Sequence, residues 1–245
     1  MKRLYGLIGF PIGHSFSAAY FTDKFAKEKV DAEYRLFPLP GLENFPKLLQ
    51  QYSSLQGLNV TLPHKQQILR FLDNIDDAAM QVGAVNCIAI HKGNLTGFNT
   101  DIIGFKNSLE PLLKTHHTRA LVLGTGGSAM AVQYVLKGLN IAFANVSRTP
   151  GKDALLYADI TPETIQQYPL IINTTPVGMF PQTEALPSLP YASLTAQHLL
   201  FDLVYNPVET AFLRQGKSYG ATTKNGFEML QLQAEASWEI WNAYL

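Results

Sequence analysis

Residues 119–149, RALVLGTGGSAMAVQYVLKGLNIAFANVSRT, decide the fold. Residues 119–123 form an apolar run of strand length. The glycine turn Gly124-Thr125-Gly126-Gly127-Ser128-Ala129 follows, and Val132, Val135, Leu136 and Leu139 then recur at helical spacing. A second apolar run, 141–146, leads into Ser147 and Arg148. Strand, glycine turn, helix and strand is the order of a βαβ dinucleotide site. Glycine lets the backbone turn and approach a pyrophosphate without a Cβ in the way, and the amides that open the helix attract phosphate. An NAD site places an acidic residue roughly 20 residues further on, against the ribose 2′-hydroxyl. Here Ser147, Arg148 and Lys152 occupy that region. A cation suits a 2′-phosphate, so the expected cofactor is NADP(H).

Working outward, the chain before this unit alternates strand-like and helix-like segments. Residues 4–9 read as a strand, and Phe16, Tyr20, Phe21 and Phe25 as one face of a helix. Residues 34–37 read as a strand, 42–52 as a helix with an early Pro46, and 57–61 as a short strand. A helix carrying Ile68, Phe71 and Leu72 follows, and then a hairpin of 85–90 and 94–98 joined through His91-Lys92-Gly93. Residues 101–114 read as a helix leading into the dinucleotide unit. Beyond it, strands are expected at 170–173 and 198–204, in a doubly wound pattern. The last helix, 227–244, carries Leu230, Ala234, Trp238 and Trp241 on one face and needs an apolar partner, which the first domain supplies. The expected division is residues 1–101 with the closing helix 227–245, and residues 102–226.

Composition narrows the function. With nineteen basic against nineteen acidic residues, no general attraction to nucleic acid or membrane is expected. The single cysteine, Cys87, excludes an intrachain disulfide and fits a reducing compartment, the cytoplasm. The apolar run after Lys2 and Arg3 ends at Pro11, which reads as a strand rather than a signal peptide. The six histidines, including the adjacent His116 and His117, show no metal-ligand spacing, so no metal is expected and His64 reads as structural. Neither a nucleophile elbow nor a phosphate-loop lysine is present.

Three polar clusters follow the expected first-domain strands: Gly13-His14-Ser15-Phe16-Ser17, Asn59-Val60-Thr61-Leu62-Pro63-His64-Lys65 and Asn99-Thr100-Asp101, with Asn86 inside the strand before the hairpin. Taken singly, Ser15 or Asp101 reads as a helix cap and Lys65 as a surface lysine. Taken together at strand ends, they converge on one polar small molecule, with hydroxyls and amides to orient it and a Lys and an Asp to move protons.

Nine ordered blocks, including GFPIGHSFS (9–17), NVTLPHK (59–65), NTD (99–101), GTGGSA (124–129), FDLVYNP (201–207) and NGFEMLQLQA (225–234), resemble the shikimate dehydrogenase family over nearly the whole chain. The resemblance implies two α/β domains: an N-terminal substrate-binding domain and a Rossmann-like NADP-binding domain, with the C-terminal helix returning to the first. It implies reversible, NADP-dependent reduction of 3-dehydroshikimate to shikimate in aromatic amino-acid biosynthesis. The catalytic pair falls on Lys65 and Asp101, read as coupled without assigning which one moves the proton. Ser15 and Ser17 match the residues that hold the substrate carboxylate, and Thr61, Asn86, Asp101, Tyr205 and Gln233 those that hold its hydroxyls. Gly124, Thr125, Gly126, Gly127, Ser128 and Ala129 cradle the pyrophosphate, and Ser147, Arg148 and Lys152 face the 2′-phosphate. Residues 173–179, among them Thr174, line the nicotinamide side with Val204 and Gly226.

The chain departs from the family pattern at Ala18, Met130 and Ser147, and its 150–169 segment is too short for a helix-plus-strand unit of usual length. Glu228 reads as a helix-capping residue. The alternatives are a dual quinate/shikimate dehydrogenase that uses NAD, and a non-catalytic sensor of shikimate or NADP. The expected assembly is a monomer or a homodimer.

Overall fold

β1 (Arg3–Gly9) is buried on both faces: Leu4 and Ile8 join one apolar cluster, Tyr5 and Leu7 another. This alternation recurs through the first of two units in the computed structural model, which describes every residue except Met1, His14, Lys152 and Asp153. The units comprise residues 1–100 with 234–245, and residues 101–233. The first unit continues with α1 (Phe16–Lys27), β2 (Ala32–Pro38), α2 (Phe45–Gln51), β3 (Leu55–Val60), β4 (Asn74–Ile75), α3 (Asp77–Val82), β5 (Cys87–His91) and β6 (Asn94–Phe98). Its sheet runs in the order β2-β1-β3-β5-β6-β4 and is mixed: β2, β1 and β3 are parallel, whereas β5 is antiparallel to both β3 and β6. The carboxyl ends of β1, β3 and β6 therefore share an edge with the start of β5. Lys92 and Gly93 both have positive φ (51° and 82°), as a two-residue turn between twisted strands requires.

The second unit holds α4 (Asp101–Leu109), β7 (Arg119–Leu123), α5 (Gly127–Gly138), β8 (Ala142–Ser147), β9 (Ala154–Leu156), α6 (Pro162–Gln167), β10 (Leu170–Asn173), β11 (Leu199–Asp202), α7 (Ala211–Ser218) and β12 (Thr222–Lys224). Its all-parallel sheet has the order β12-β11-β10-β7-β8-β9, a Rossmann arrangement whose strand order reverses between β7 and β10. Ala120 and Val122 face one apolar cluster and Leu121 and Leu123 the other, so helices cover both sides. The closing helix α8 (Phe227–Ala243) places Met229 in the core of the second unit and Ala234, Trp238 and Trp241 in that of the first.

Two expectations of helix extent are corrected. Residues 67–71 form a 3₁₀ turn rather than an α-helix, bracketed by the bonds from Val85 N to Lys65 O and from Asp73 N to Leu95 O. The helix from Asp101 stops at Leu109, and a 3₁₀ turn carries Pro111, which has no amide to continue it. The 150–169 segment, expected to be too short for a helix-plus-strand unit of usual length, holds only a miniature one: β9 has three residues and α6 has six.

Two packing details hold the frame. Trp241 fills the space that a side chain at Gly57 would occupy, stacks on Tyr5 at 4.8 Å and donates its indole N–H to Ile88 O at 3.0 Å. In the second unit Asp202 is wholly buried at the end of β11. Its Oδ1 accepts from Val204 N and Asn173 Nδ2 at 3.0 Å each, and its Oδ2 from Thr210 Oγ1 at 2.6 Å. One carboxylate thus ties the loops after β10 and β11 to the start of α7. Burial pushes its pKa up from 3.8 to about 6 against the lowering effect of the three donors.

A Cβ at position 57 would lie 2.2 Å from Trp241 Nε1, whereas one at Gly138 meets nothing within 4 Å. Gly57→Ala is therefore expected to lower the unfolding free energy by about 1–3 kcal/mol, and Gly138→Ala to leave it unchanged or raise it by about 0.5–1 kcal/mol. Urea denaturation of both variants checks this. For Asp202 the native pKa exceeds the unfolded one, so the native state binds the proton more strongly and stability falls as pH rises towards 6. Asp202→Asn removes this titration. Its stability relative to the parent is expected to rise by about 2 kcal/mol between about pH 4.5 and 7.5; a constant difference across that range refutes the assignment.

Candidate active site

In the first unit the shared sheet edge carries the polar clusters. Ser15 follows β1 and is the N-cap of α1, its Oγ accepting from Ser17 N at 3.2 Å, so the cap reading of Ser15 is correct locally. Ser17 is buried and lies beside the Tyr34 phenol, whose pKa burial raises far above the usual range. Thr61 and Lys65 follow β3 and are part-buried. His64 between them is buried and bonds Leu39 O at 2.6 Å through Nε2, a structural role. Asn86 immediately precedes β5 and is 3% exposed; because β5 runs antiparallel to β3, it comes to the same edge as Thr61. Its Oδ1 accepts from Thr100 N at 2.7 Å and from Thr100 Oγ1 at 3.2 Å, which fixes the orientation of the carboxamide.

Behind this edge Asn59 and Thr100 are linked through Tyr34 and Ser237, two residues that the sequence reading passed over. Tyr34 Oη donates to Asn59 Oδ1 (2.8 Å), Asn59 Nδ2 donates to Ser237 Oγ (2.9 Å), and Ser237 Oγ lies 3.2 Å from Thr100 Oγ1. Tyr34 read only as part of a strand. The signal for Ser237 was a hydroxyl on the apolar face of the last helix, four residues before Trp241. Cys87, against Ser237 and Trp241, has its thiol pushed up to about 12 by burial and is chemically inert.

The second unit carries the remaining site residues. Asp101 opens α4 and is 5% exposed. One turn on, Gly104 lets α8 approach closely: a Cβ there would meet Met229 O at 2.5 Å and Gln233 Cβ at 3.1 Å. Asp101 thus lies one turn from a helix crossing that includes Gln233, whose Nε2 donates to Leu230 O at 2.9 Å.

At the strand-order reversal, Gly124 takes φ +113°, and a Cβ on it would lie 2.6 Å from Thr174 Oγ1. Thr174 in turn donates Oγ1 and N to Leu123 O at 2.6 and 3.0 Å. The loops after β7 and β10 are therefore in contact at the crevice where ligands bind in such sheets. Gly126, the N-cap of α5, makes no side-chain cap bond and has open space around it. Thr125 is exposed, Ser128 part-buried, and Gly127 and Ala129 buried beneath the turn. This cradle fits a pyrophosphate: close backbone approach and a twelve-residue helix whose first amides are not capped by a side chain.

Ser147 ends β8 and accepts from Thr149 N at 3.2 Å, which makes it a turn former. Arg148 follows, exposed at the carboxyl end of β8, and fits a phosphate beyond it. Lys152 lies outside the described residues. Val204 is buried and held by Asp202, and Tyr205 next to it is part-buried. Gly226 donates its N–H to Val204 O at 3.1 Å, and a Cβ there would stand 2.1 Å from Leu203 O. Glu228 pairs with Lys224, and the capping of α8 falls to Asn225, whose Oδ1 accepts from Phe227 N at 3.3 Å. Asp202 itself was missed from sequence; its signal was an acid inside an otherwise apolar strand.

Residues 7–88 match the family model described as the shikimate dehydrogenase substrate binding domain. The chain is 37% identical to the shikimate dehydrogenase (NADP(+)) of Methanococcus maripaludis over 257 residues, spanning 98% of this chain and 91% of that protein. It is 38% identical to that of Bacillus anthracis, over 98% of this chain and 93% of that one. Among solved structures, shikimate 5-dehydrogenase from Thermus thermophilus in complex with NADP(H) and shikimate superimposes with a TM-score of 0.87 at 31% identity, covering 99% of this chain and 94% of that one. With relatives of this similarity along nearly its full length and the two α/β units described above, the chain belongs to the shikimate dehydrogenase family.

Proposed function

We propose that this protein is an NADP-dependent shikimate dehydrogenase, reversibly reducing 3-dehydroshikimate to shikimate in the shikimate pathway of aromatic amino-acid biosynthesis. The observation that carries the reading is the sheet edge on which β1, β3 and β6 end and β5 begins. It gathers Ser15, Ser17, Thr61, Lys65 and Asn86, the hydroxyls, ammonium and carboxamide that suit a polyhydroxylated carboxylate. In this reading the first domain, residues 1–101 with the closing helix 227–245, holds the substrate, and residues 102–226 hold NADP.

The roles follow from the chemistry of each group. Ser15 and Ser17 meet the carboxylate; Thr61, Asn86, Asp101, Tyr205 and Gln233 orient the hydroxyls. NADPH, when bound, supplies the hydride. Negative charge develops on the carbonyl oxygen during reduction; the Lys65 ammonium stabilises that charge, and the proton is moved by Lys65 and Asp101 together. Asp101 acts with Lys65 as a coupled acid–base pair. Gly124, Thr125, Gly126, Gly127, Ser128 and Ala129 receive the pyrophosphate, and Ser147, Arg148 and Lys152 the 2′-phosphate. Thr174, Val204 and Gly226 border the nicotinamide, which Asp202 supports by pinning the Val204 amide. The single thiol fits a reducing compartment, and we place the enzyme in the cytoplasm as a monomer or homodimer. No helix among the described residues is long and apolar enough to cross a membrane.

Initial rates of shikimate oxidation with NADP⁺ and with NAD⁺ test the reading. The expected outcome is turnover that prefers NADP⁺, with Arg148→Ala raising KM for NADP⁺ about tenfold and leaving KM for NAD⁺ unchanged. A preference for NAD⁺ overturns the phosphate role, and binding of shikimate without turnover leaves a sensor. Lys65→Ala and Asp101→Ala are each expected to lower kcat by about 10²- to 10⁴-fold, with the affinity for NADP⁺, measured by calorimetry, within about twofold of the parent.

A further inference from the structure

Four side chains that the proposed chemistry does not use form a continuous buried file behind the substrate edge. Tyr34 Oη donates to Asn59 Oδ1 at 2.8 Å, and Asn59 Nδ2 donates to Ser237 Oγ at 2.9 Å and to Asn86 O at 3.4 Å. Ser237 Oγ meets Thr100 Oγ1 at 3.2 Å, and Thr100 Oγ1 donates to Asn86 Oδ1 at 3.2 Å. Asn59, Thr100 and Ser237 are 5%, 0% and 0% exposed, so no water competes for these bonds.

The direction of the file is determined at its far end. The carboxamide Oδ1 of Asn86 only accepts, so the Thr100 hydroxyl gives its one hydrogen there. Ser237 must then donate to Thr100, and its lone pairs receive the Asn59 amide. The contact of Asn59 Nδ2 with Asn86 O independently sets which end of the Asn59 amide is nitrogen. Oδ1 of Asn59 therefore faces Tyr34, which has to donate. Along these contacts the donors run in one direction, from Tyr34 beside Ser17 to the carboxamide of Asn86. With Thr100 N also on it, Asn86 Oδ1 accepts twice from Thr100, which turns that oxygen towards Thr100 and leaves the two hydrogens of Nδ2 as what the carboxamide offers to other groups.

We infer that Tyr34, Asn59, Ser237 and Thr100 are positioning residues that hold Asn86 with its nitrogen towards the substrate and so select for a ligand that accepts a hydrogen bond there. The inference rests on the proposed role of Asn86 in holding a substrate hydroxyl. The file joins β2, β3, the closing helix and the segment after β6 within one unit, so the last helix takes part in substrate selection from beneath the sheet edge.

Thr100→Val removes the hydroxyl with little change of volume and keeps the backbone bond to Asn86, whereas Thr100→Ser keeps the hydroxyl. Tyr34→Phe cuts the file at its other end. Shikimate affinity of the cofactor-free protein, measured by calorimetry, is expected to fall about fivefold in Thr100→Val and in Tyr34→Phe and to return to within about twofold in Thr100→Ser. KM for shikimate should rise in parallel, while kcat and the affinity for NADP⁺ stay within about twofold. Because the two cuts act on one file, the loss in Thr100→Val combined with Tyr34→Phe should be smaller than the product of the single losses. Unchanged shikimate affinity in variants whose urea midpoint has fallen overturns the inference and leaves the file a purely structural feature. A parent protein that binds no shikimate overturns the proposed function instead, and the positioning role with it.

Discussion

The indole of Trp241 occupies the space above Gly57, and the first unit is arranged around that contact. Gly57 and Asn59 are two apart on β3 and so face the same side of the sheet; Ser237 and Trp241 are four apart on α8 and so share a helix face. Seating Trp241 against a residue with no side chain therefore brings Ser237 within 2.9 Å of the Asn59 amide. Tyr5, Phe21 and Tyr34 close around the same ring, with Phe21 stacked on Tyr34 at 4.6 Å. An aromatic core and a polar file thus depend on one registration of helix over strand, and a slip of one residue on either partner would lose both.

In the second unit the corresponding role falls to bare backbone and one buried acid. Gly124 tolerates a positive φ beside Thr174, and Gly226 tolerates the Leu203 carbonyl where a Cβ would stand. Both glycines sit where loops at the carboxyl edge of the sheet approach one another too closely for a side chain. Asp202 accepts hydrogen bonds from a β10 residue, from the backbone after β11 and from the cap of α7, so three separate segments share one anchor. Removing a carboxylate from water is costly. Its retention here follows from the three donors that converge on it.

Much of this was legible because it is local. The strand, glycine turn and helix from Arg119 carry their own periodicity, and the apolar faces of α1 and α8 were visible from residue spacing. Arg148 was readable as a cation after the second Rossmann strand. Helix lengths were harder: the turn at 67–71 is bracketed by tertiary hydrogen bonds and the early end of α4 depends on Pro111, neither of which periodicity registers. The miniature β9–α6 unit was obscured because three strand residues and six helix residues are too few to establish a period.

The sequence alone determined the α/β class, the Rossmann-like unit, the family and the side chains available for chemistry, since each rests on patterns or motifs within a few dozen residues. Only the tertiary structure decided that β5 runs antiparallel and so carries Asn86 to the edge where β3 ends. It alone joined Ser237 to Asn59, 178 residues apart along the chain, and made Asp202 a buried anchor rather than a surface acid. Strand direction and buried polar partnership are set by which distant surfaces exclude water together, and no local stretch of sequence contains that information.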